Sequence, residues 1–210
     1  LNNMKISYAI TVCNEFVEIQ KLISFILKNK RNEDEIIILF DSKNGDPAIE
    51  EYLRSHSVNG EFIWVKGEFG NHFADWKNKL NKLCSGDYIF QIDADELPHT
   101  KLMESLPEIL EKNSHNDVFL VPRVNTVEGI LDEHINKWGW RLNEKKWINW
   151  PDNQWRIYKN NGTIKWINKV HERLDGFKTF ASLPPIEEFA LYHPKTIDRQ
   201  EKQNQYYDTL

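Results

Sequence analysis

The sequence predicts an α/β fold built on a doubly wound sheet, and three observations carry that expectation. Apolar runs of strand length recur at 5–13 (KISYAITVC), 36–40 (IIILF), 61–65 and 88–92, nearly unbroken, as in strands covered on both faces. Between them the apolar residues return with helical spacing, so the order reads β-α-β-α-β-α-β. With 210 residues the chain is long enough for one well-cored domain and too short for two ordinary ones.

The first strand hands over to Asn14 and Glu15, and Phe16, Ile19, Leu22, Ile23 and Ile26 then mark one face of a helix. Backbone N–H groups free at that start are placed to face a nucleotide's phosphates or base edge, ordinary capping by Asn14 being the alternative. The second strand ends at Asp41, followed by the polar turn 42–46 and by Pro47, which opens the next helix. Ligands of open parallel sheets bind outside the carboxyl ends of the strands. There Asp41 can accept from a ribose hydroxyl or base imide, or from the amides of its own turn. A helix over 71–83 places Phe73, Trp76, Leu80 and Leu83 on one face, with Lys77 at its border as either a diphosphate contact or a solvated lysine.

The fourth strand, in 87–96 (DYIFQIDADE), carries the strongest signal. Acid-any-acid triplets arise about five times by chance in a chain this acidic, and Glu33-Asp34-Glu35 reads as one of them, a solvated turn. Asp93, Asp95 and Glu96 differ because they crowd the end of a buried strand, where repulsion needs protonation, a basic partner or a bound cation. A hard divalent ion, Mn2+ or Mg2+, suits carboxylate oxygens and leaves positions for water and phosphate oxygens.

Beyond Glu96 two helical turns are expected to break at Pro107, and Pro122 marks strand 117–124 as an edge or bulge. Six of the eight tryptophans fall between Trp138 and Trp166, interleaved with Arg141, Lys145, Lys146, Asp152, Gln154 and Arg156. Aromatic faces beside polar groups suit sugar rings, although at least half of these tryptophans are expected to pack strands 154–159 and 163–168 onto the sheet. Asp132-Glu133-His134 lies in a loop-like stretch and ranks low as a site. In Val170-His171-Glu172 a neutral imidazole can complete a carboxylate-bound manganese site, and Glu172 can take a proton from an acceptor hydroxyl. His193 is a weaker ligand candidate, and 195–208 reads as a surface helix.

A net charge of −5 with dispersed basic residues argues against nucleic acid as a partner. Cys13 and Cys84 give no disulfide framework and read as core residues in a reducing, cytoplasmic setting. The longest apolar run, 36–40, is far below bilayer length and no signal layout opens the chain, so a soluble protein is expected. Met4 stands behind Leu1-Asn2-Asn3, which reads as a short leader, and Leu210 falls within a helix-like stretch, which leaves open whether native sequence continues past it.

Together TVCNE at 11–15, FDS at 40–42, FADWKN at 73–78, GDYIFQIDADE at 86–96 and VHE at 170–172 resemble the family 2 glycosyltransferases of GT-A fold. The nearest branch is similar to lipopolysaccharide-core-type sugar transferases. The resemblance implies a single GT-A domain over 1–210, a doubly wound mixed sheet with a nucleotide-sugar-binding half at 4–123 and a Trp-rich acceptor-binding half at 124–210. It implies a nucleotide-sugar donor, UDP-sugar first, with base and ribose held by Asp41 and the Thr11, Asn14 and Glu15 segment. Lys77, Asp93 and Ala94 then meet the diphosphate side, Asp93 and Asp95 hold the metal with His171, and transfer to an acceptor glycan or other hydroxyl proceeds with inversion. The Glu-Asp pair that supplies the base in many relatives is not evident after Arg156, so Glu172 or Asp152 is the expected base. Two other readings are a nucleotidyltransferase, which would want a Gly-rich loop after the first strand, and a non-catalytic carbohydrate-binding protein.

Overall fold

The structure, a computed structural model, describes residues 3–210; Leu1 and Asn2 of the expected leader lie outside them. Strands and helices of the first half alternate as the apolar pattern requires. They are β1 (Ile6–Val12), α1 (Phe16–Asn29), β2 (Glu35–Asp41), α2 (Pro47–His56), β3 (Ile63–Gly67), α3 (Phe73–Asn81) and β4 (Tyr88–Asp93). All four strands are parallel, in the order β3-β2-β1-β4. The winding therefore reverses between β1 and β4, and the crevice beyond their carboxyl ends is where open sheets bind ligands. Thr11 and Asp93 are register partners at that point.

The second half extends the sheet. It contains β5 (Leu97–Pro98), α4 (Thr100–Lys112), β6 (Val118–Glu128), α5 (Asp132–Trp138), β7 (Ile148–Lys159), β8 (Lys165–Ile167), β9 (Arg173–Asp175), β10 (Phe180–Ser182), a 3-10 turn at Glu187–Phe189, β11 (Leu191–Thr196) and α6 (Ile197–Tyr207). β7 inserts antiparallel between β4 and β6, β11 lies parallel beyond β6, and β8 and β9 form a separate pair. A nine-stranded mixed sheet results.

Both faces are covered, which is why the central strands read as continuous apolar runs. Ile6, Tyr8, Ile10 and Val12 of β1 pack with Ile19, Leu22, Ile23 and Ile26 of α1, with Ile49 and Leu53 of α2, and with the apolar stripe of α4. The opposite face buries Ala9, Ile37, Leu39 and Ile89 against Trp76 and Leu80 of α3 and against Trp166 and Leu174 of the small pair. Among the described residues no helix is long and apolar enough to cross a membrane.

Four local expectations are corrected. Pro107 sits inside an unbroken α4, because Leu102, Met103, Leu106 and Leu110 on both sides of it are buried as one stripe. Pro122 lies in an interior strand, opposite Asn153 of β7, yet on the other flank β10 pairs only as far as Leu120 and β11 begins at Arg123. The missing N–H falls in that gap. Residues 132–134 open helix α5, and α6, expected as a plain surface helix, lends several side chains to the main cleft.

The Glu33-Asp34-Glu35 turn is also less solvated than expected. Asp34 is buried, accepting from Ile6 N at 2.9 Å and from Arg31, while Glu35 gathers Lys5 Nζ (2.7 Å), Ser7 Oγ (2.6 Å) and Ser85 N (2.7 Å). Burial pushes the Glu35 carboxyl up, but these donors prevail and hold it at about 2, below its ordinary 4.5. A depressed carboxyl stabilises the fold above its unfolded value and loses that contribution as pH falls toward its folded one. Glu35→Gln is therefore expected to flatten the acid limb of stability between pH 4.5 and about 2, removing at most ~3 kcal/mol, as read by urea unfolding at stepped pH.

Candidate active site

The carboxyl ends of β1, β2 and β4 open onto a cleft of about 970 Å³ whose far wall comes from β6, β7, β11 and α6. The acidic turn after β4 forms its floor. Glu96 does not point into the cleft: its side chain has no exposed surface and turns back to accept Asp93 N at 2.9 Å. Arg156 of β7 reaches Glu96 Oε2 at 3.1 Å and Asp93 Oδ2 at 3.0 Å, and Arg123 of β6 reaches Glu96 at 3.1 Å. Burial pushes the Asp93 carboxyl up, but Arg156, then Lys77, outweigh it and hold it well below the usual carboxylate range. The repulsion read from the sequence is thus relieved first by two arginines of the protein's own second half.

Lys77 is buried, not solvated. Helix α3 presents it 2.5 Å from Glu172, 3.9 Å from Asp93 Oδ1 and 4.5 Å from the Trp166 ring centroid. Trp166 is fixed beneath it because Asn78 brackets the Trp166 backbone, donating to its carbonyl at 2.8 Å and accepting its N–H at 2.9 Å. Glu172 is therefore tied to the cation that the sequence reading set toward a diphosphate.

Asp95 points elsewhere. His193 Nε2 of β11 lies 3.2 Å from its Oδ2, and Arg199 of α6 lies 3.4 Å from the same oxygen while bonding Glu18 at 2.8 Å. Burial pushes the Asp95 carboxyl up, and the His193 contact more than offsets it, leaving it below the ordinary range. Asp152 on β7 accepts from Arg123 Nη2 (2.8 Å), Asn125 Nδ2 (2.7 Å) and Gln154 Nε2 (2.7 Å), and against the upward push of burial its carboxyl is held low, chiefly by Arg123.

At the β1 and β2 ends the turn chemistry is self-contained. Asp41 takes the amides of Lys43 at 3.0 Å and Phe69 at 3.2 Å with one oxygen, and Asn44 Nδ2 at 3.0 Å with the other, so the turn-bonding alternative is realised. Gly45 is required there, since a Cβ would stand 2.1 Å from the Asp41 carbonyl oxygen. Asn14 does not cap α1; Glu15 folds back to accept Cys13 N at 2.9 Å and Asn14 N at 3.0 Å, occupying amides expected to face phosphate. Burial raises the Glu15 carboxyl above its ordinary value, and burial, then Asp41 at 3.7 Å, pushes the Cys13 thiol up to about 12.

All of Thr11, Asn14, Glu15, Asp41, Lys77, Asp93, Ala94, Asp95, Asp152, His171 and Glu172 line the same cleft. The expected ion set Asp93, Asp95 and His171 is not drawn together, however. Asp93 faces Arg156, Asp95 faces His193, and the exposed His171 packs its ring 5.9 Å from Tyr207 with a left-handed backbone, φ 52°. Among the described residues no three His, Cys, Asp or Glu side chains converge on one point. Asp95 with His193 is the pair whose donor chemistry, one carboxylate oxygen and one imidazole nitrogen, fits a manganese-like ion. Sequence reasoning ranked His193 low and overlooked Asn125 and both arginines as ion partners. The one available signal was a charged residue, Arg156, between Trp155 and Ile157 in a predicted strand, since a buried charge is nearly always paired.

A parallel βαβ half with an acidic turn at its switch point, completed by a mixed sheet, is the GT-A architecture. The model of Glycosyl transferase family 2 matches residues 7–180, and the chain belongs to that family. Among solved structures it is similar to S. aureus TarS 1-349 in complex with UDP-GlcNAc (TM-score 0.62, 14% identity) and in complex with UDP (TM-score 0.60, 13% identity). Each similarity covers 91% of this chain and 59% or 60% of the other, so the chain spans about three-fifths of the length of those proteins. No curated protein matches it in sequence.

Proposed function

We propose that this chain carries the donor site and catalytic centre of a metal-assisted, inverting glycosyltransferase that moves a sugar from a UDP-sugar to an acceptor hydroxyl. The observation that carries the reading is the acidic turn at the β1/β4 switch point, open to a large cleft and flanked by fixed cations. The UDP and UDP-GlcNAc bound by the TarS structures support the donor class.

In this reading Thr11, Asn14, Glu15 and Asp41 shape the base and ribose end, and Asp93, Ala94 and Lys77 meet the diphosphate. Asp95 and His193 would hold Mn2+ or Mg2+, with Asp93 two residues away along the acidic turn. When bound, the ion neutralises charge that develops on the departing diphosphate. Lys195 and Arg199 line the same wall and add positive charge beside the leaving group.

Asp152 suits the base better than Glu172. Both carboxylates are held by cations, Asp152 by Arg123 and Glu172 by Lys77, so the choice is one of place: Asp152 sits on β7, the strand of the cleft-lining Ile148 and Asn149, on the side read as the acceptor side, whereas Glu172 is bound to the lysine read as meeting the diphosphate. The acceptor oxygen attacks the anomeric carbon as its proton passes to the Asp152 carboxylate, and the bond to diphosphate breaks with its electron pair on the leaving group. The Trp138–Trp140 and Trp147–Trp150 pairs, with ring centroids 4.7 and 4.8 Å apart and all four rings partly exposed, offer stacking faces to a glycan acceptor.

The test is a screen of nucleotide sugars for Mn2+-dependent hydrolysis, repeated on two variants. Asp152→Asn is expected to lower kcat by about 10²–10⁴ with donor affinity kept, and Glu172→Gln to act mainly on donor KM. The reverse pattern would move the base to Glu172; no hydrolysis with any donor would remove the transferase reading.

A further inference from the structure

Of the carboxylates that line the cleft, Glu172 is the least tied. Asp152 accepts from Arg123, Asn125 and Gln154, and Asp93 from Gln91 and Arg156. Asp95 faces both His193 and Arg199, while Glu15 and Asp41 take backbone amides. Among the described residues Glu172 meets the Lys77 ammonium, at 2.5 Å, and no other donor. It comes from the turn 168–172 between β8 and β9, where Asn168 and His171 hold a left-handed backbone, φ 79° and 52°. Few side chains adopt that conformation, and it persists where surrounding contacts impose it. Here the Lys169 carbonyl accepts from Phe73 N at 3.0 Å, and the His171 ring packs beside Tyr207.

Lys77 has the opposite character. Its side chain is 7% exposed, with the Trp166 ring centroid 4.5 Å from the ammonium and Asp93 3.9 Å away, so the cation keeps its place without Glu172. A fixed cation beside a singly held carboxylate is where a second anion can take over. A phosphate oxygen that reaches the ammonium meets the Glu172 carboxylate there, and two anions at that distance repel. We propose that Glu172 is a positioning residue that serves as a resident counterion: it seats Lys77 between turnovers and yields the ammonium to the diphosphate of the donor. The inference rests on the donor reading above and deepens it, since it makes the Lys77–Glu172 pair the part of the site that responds to phosphate and not to base. Part of the affinity that Lys77 offers a diphosphate is then offset by breaking this pair.

Calorimetric titration of UDP and of uridine, both with Mn2+ present, into wild type and Glu172→Gln tests this. The amide keeps the shape of the side chain without its charge, so UDP is expected to bind the variant about tenfold more tightly. Uridine, which has no phosphate, is expected to bind both proteins alike. UDP affinity that is unchanged or weaker, or an equal gain for uridine, overturns the proposal. In turnover the donor KM is expected to fall with kcat kept, and a lower kcat at unchanged KM overturns the proposal by making Glu172 the base. No UDP binding by either protein overturns the donor reading itself. Should Glu172→Gln fail to fold, wild type decides. A carbodiimide is expected to couple Lys77 to Glu172, read as a joined peptide by mass spectrometry, and saturating UDP to suppress the coupling; coupling that never forms, or that UDP leaves unchanged, overturns the proposal.

Discussion

Arg156→Met is expected to destabilise the fold by ~3–5 kcal/mol, the largest effect of any single change around the cleft. Arg156 is 3% exposed and holds both Asp93 and the fully buried Glu96, so its removal leaves the Glu96 carboxylate short of a partner where water cannot reach it. Arg123 and the Asp93 amide keep contact with Glu96 and prevent complete loss of the structure. Arg156→Lys is expected to fall between the two, since an ammonium keeps the charge but not the fork. The deficit also depends on pH. Arg156 keeps the Asp93 carboxyl depressed, so the wild-type advantage is full above the ordinary carboxylate range and shrinks as acid protonates Asp93. Urea denaturation at neutral and acid pH measures both, and an Arg156→Met protein as stable as wild type at neutral pH would show that these contacts carry no net stabilisation.

Asp95→Ala is expected to lower turnover about 10³-fold while the fold stays intact, the reverse of the Arg156 pattern. Several kcal/mol of charge stabilisation at the leaving group correspond to that factor. Stability changes little because the partners of Asp95, His193 and Arg199, keep other contacts in Asn125 and Glu18. Donor hydrolysis beside circular dichroism separates the two effects, and full activity in Asp95→Ala would exclude an ion at this position.

The contrast between these variants shows what was legible in the sequence. β1 to β4 could be read because parallel strands covered on both faces leave unbroken apolar runs, and the acidic turn stood out at the end of the last. What the turn bonds to could not be read. Arg156 lies 60 residues from Glu96 and meets it only because β7 inserts antiparallel beside β4, a pairing that spacing does not encode. The second half was harder throughout: β6 tolerates Pro122 only through a gap between its two neighbours, and α6 looks like a surface helix until its place over the cleft is known. His171, in the Val170-His171-Glu172 motif, was ranked above His193, yet it is His193 that the sheet register sets beside Asn125 and that meets Asp95.

Calorimetric titration of UDP, with and without Mn2+, addresses the central claim most directly. If the lip of the sheet holds an ion that grips a diphosphate, UDP binds in the presence of Mn2+, binding weakens sharply when the metal is chelated, and Asp95→Ala abolishes the difference. Equal UDP binding with and without metal, or no nucleotide binding beside metal-independent binding of a glycan, would contradict it.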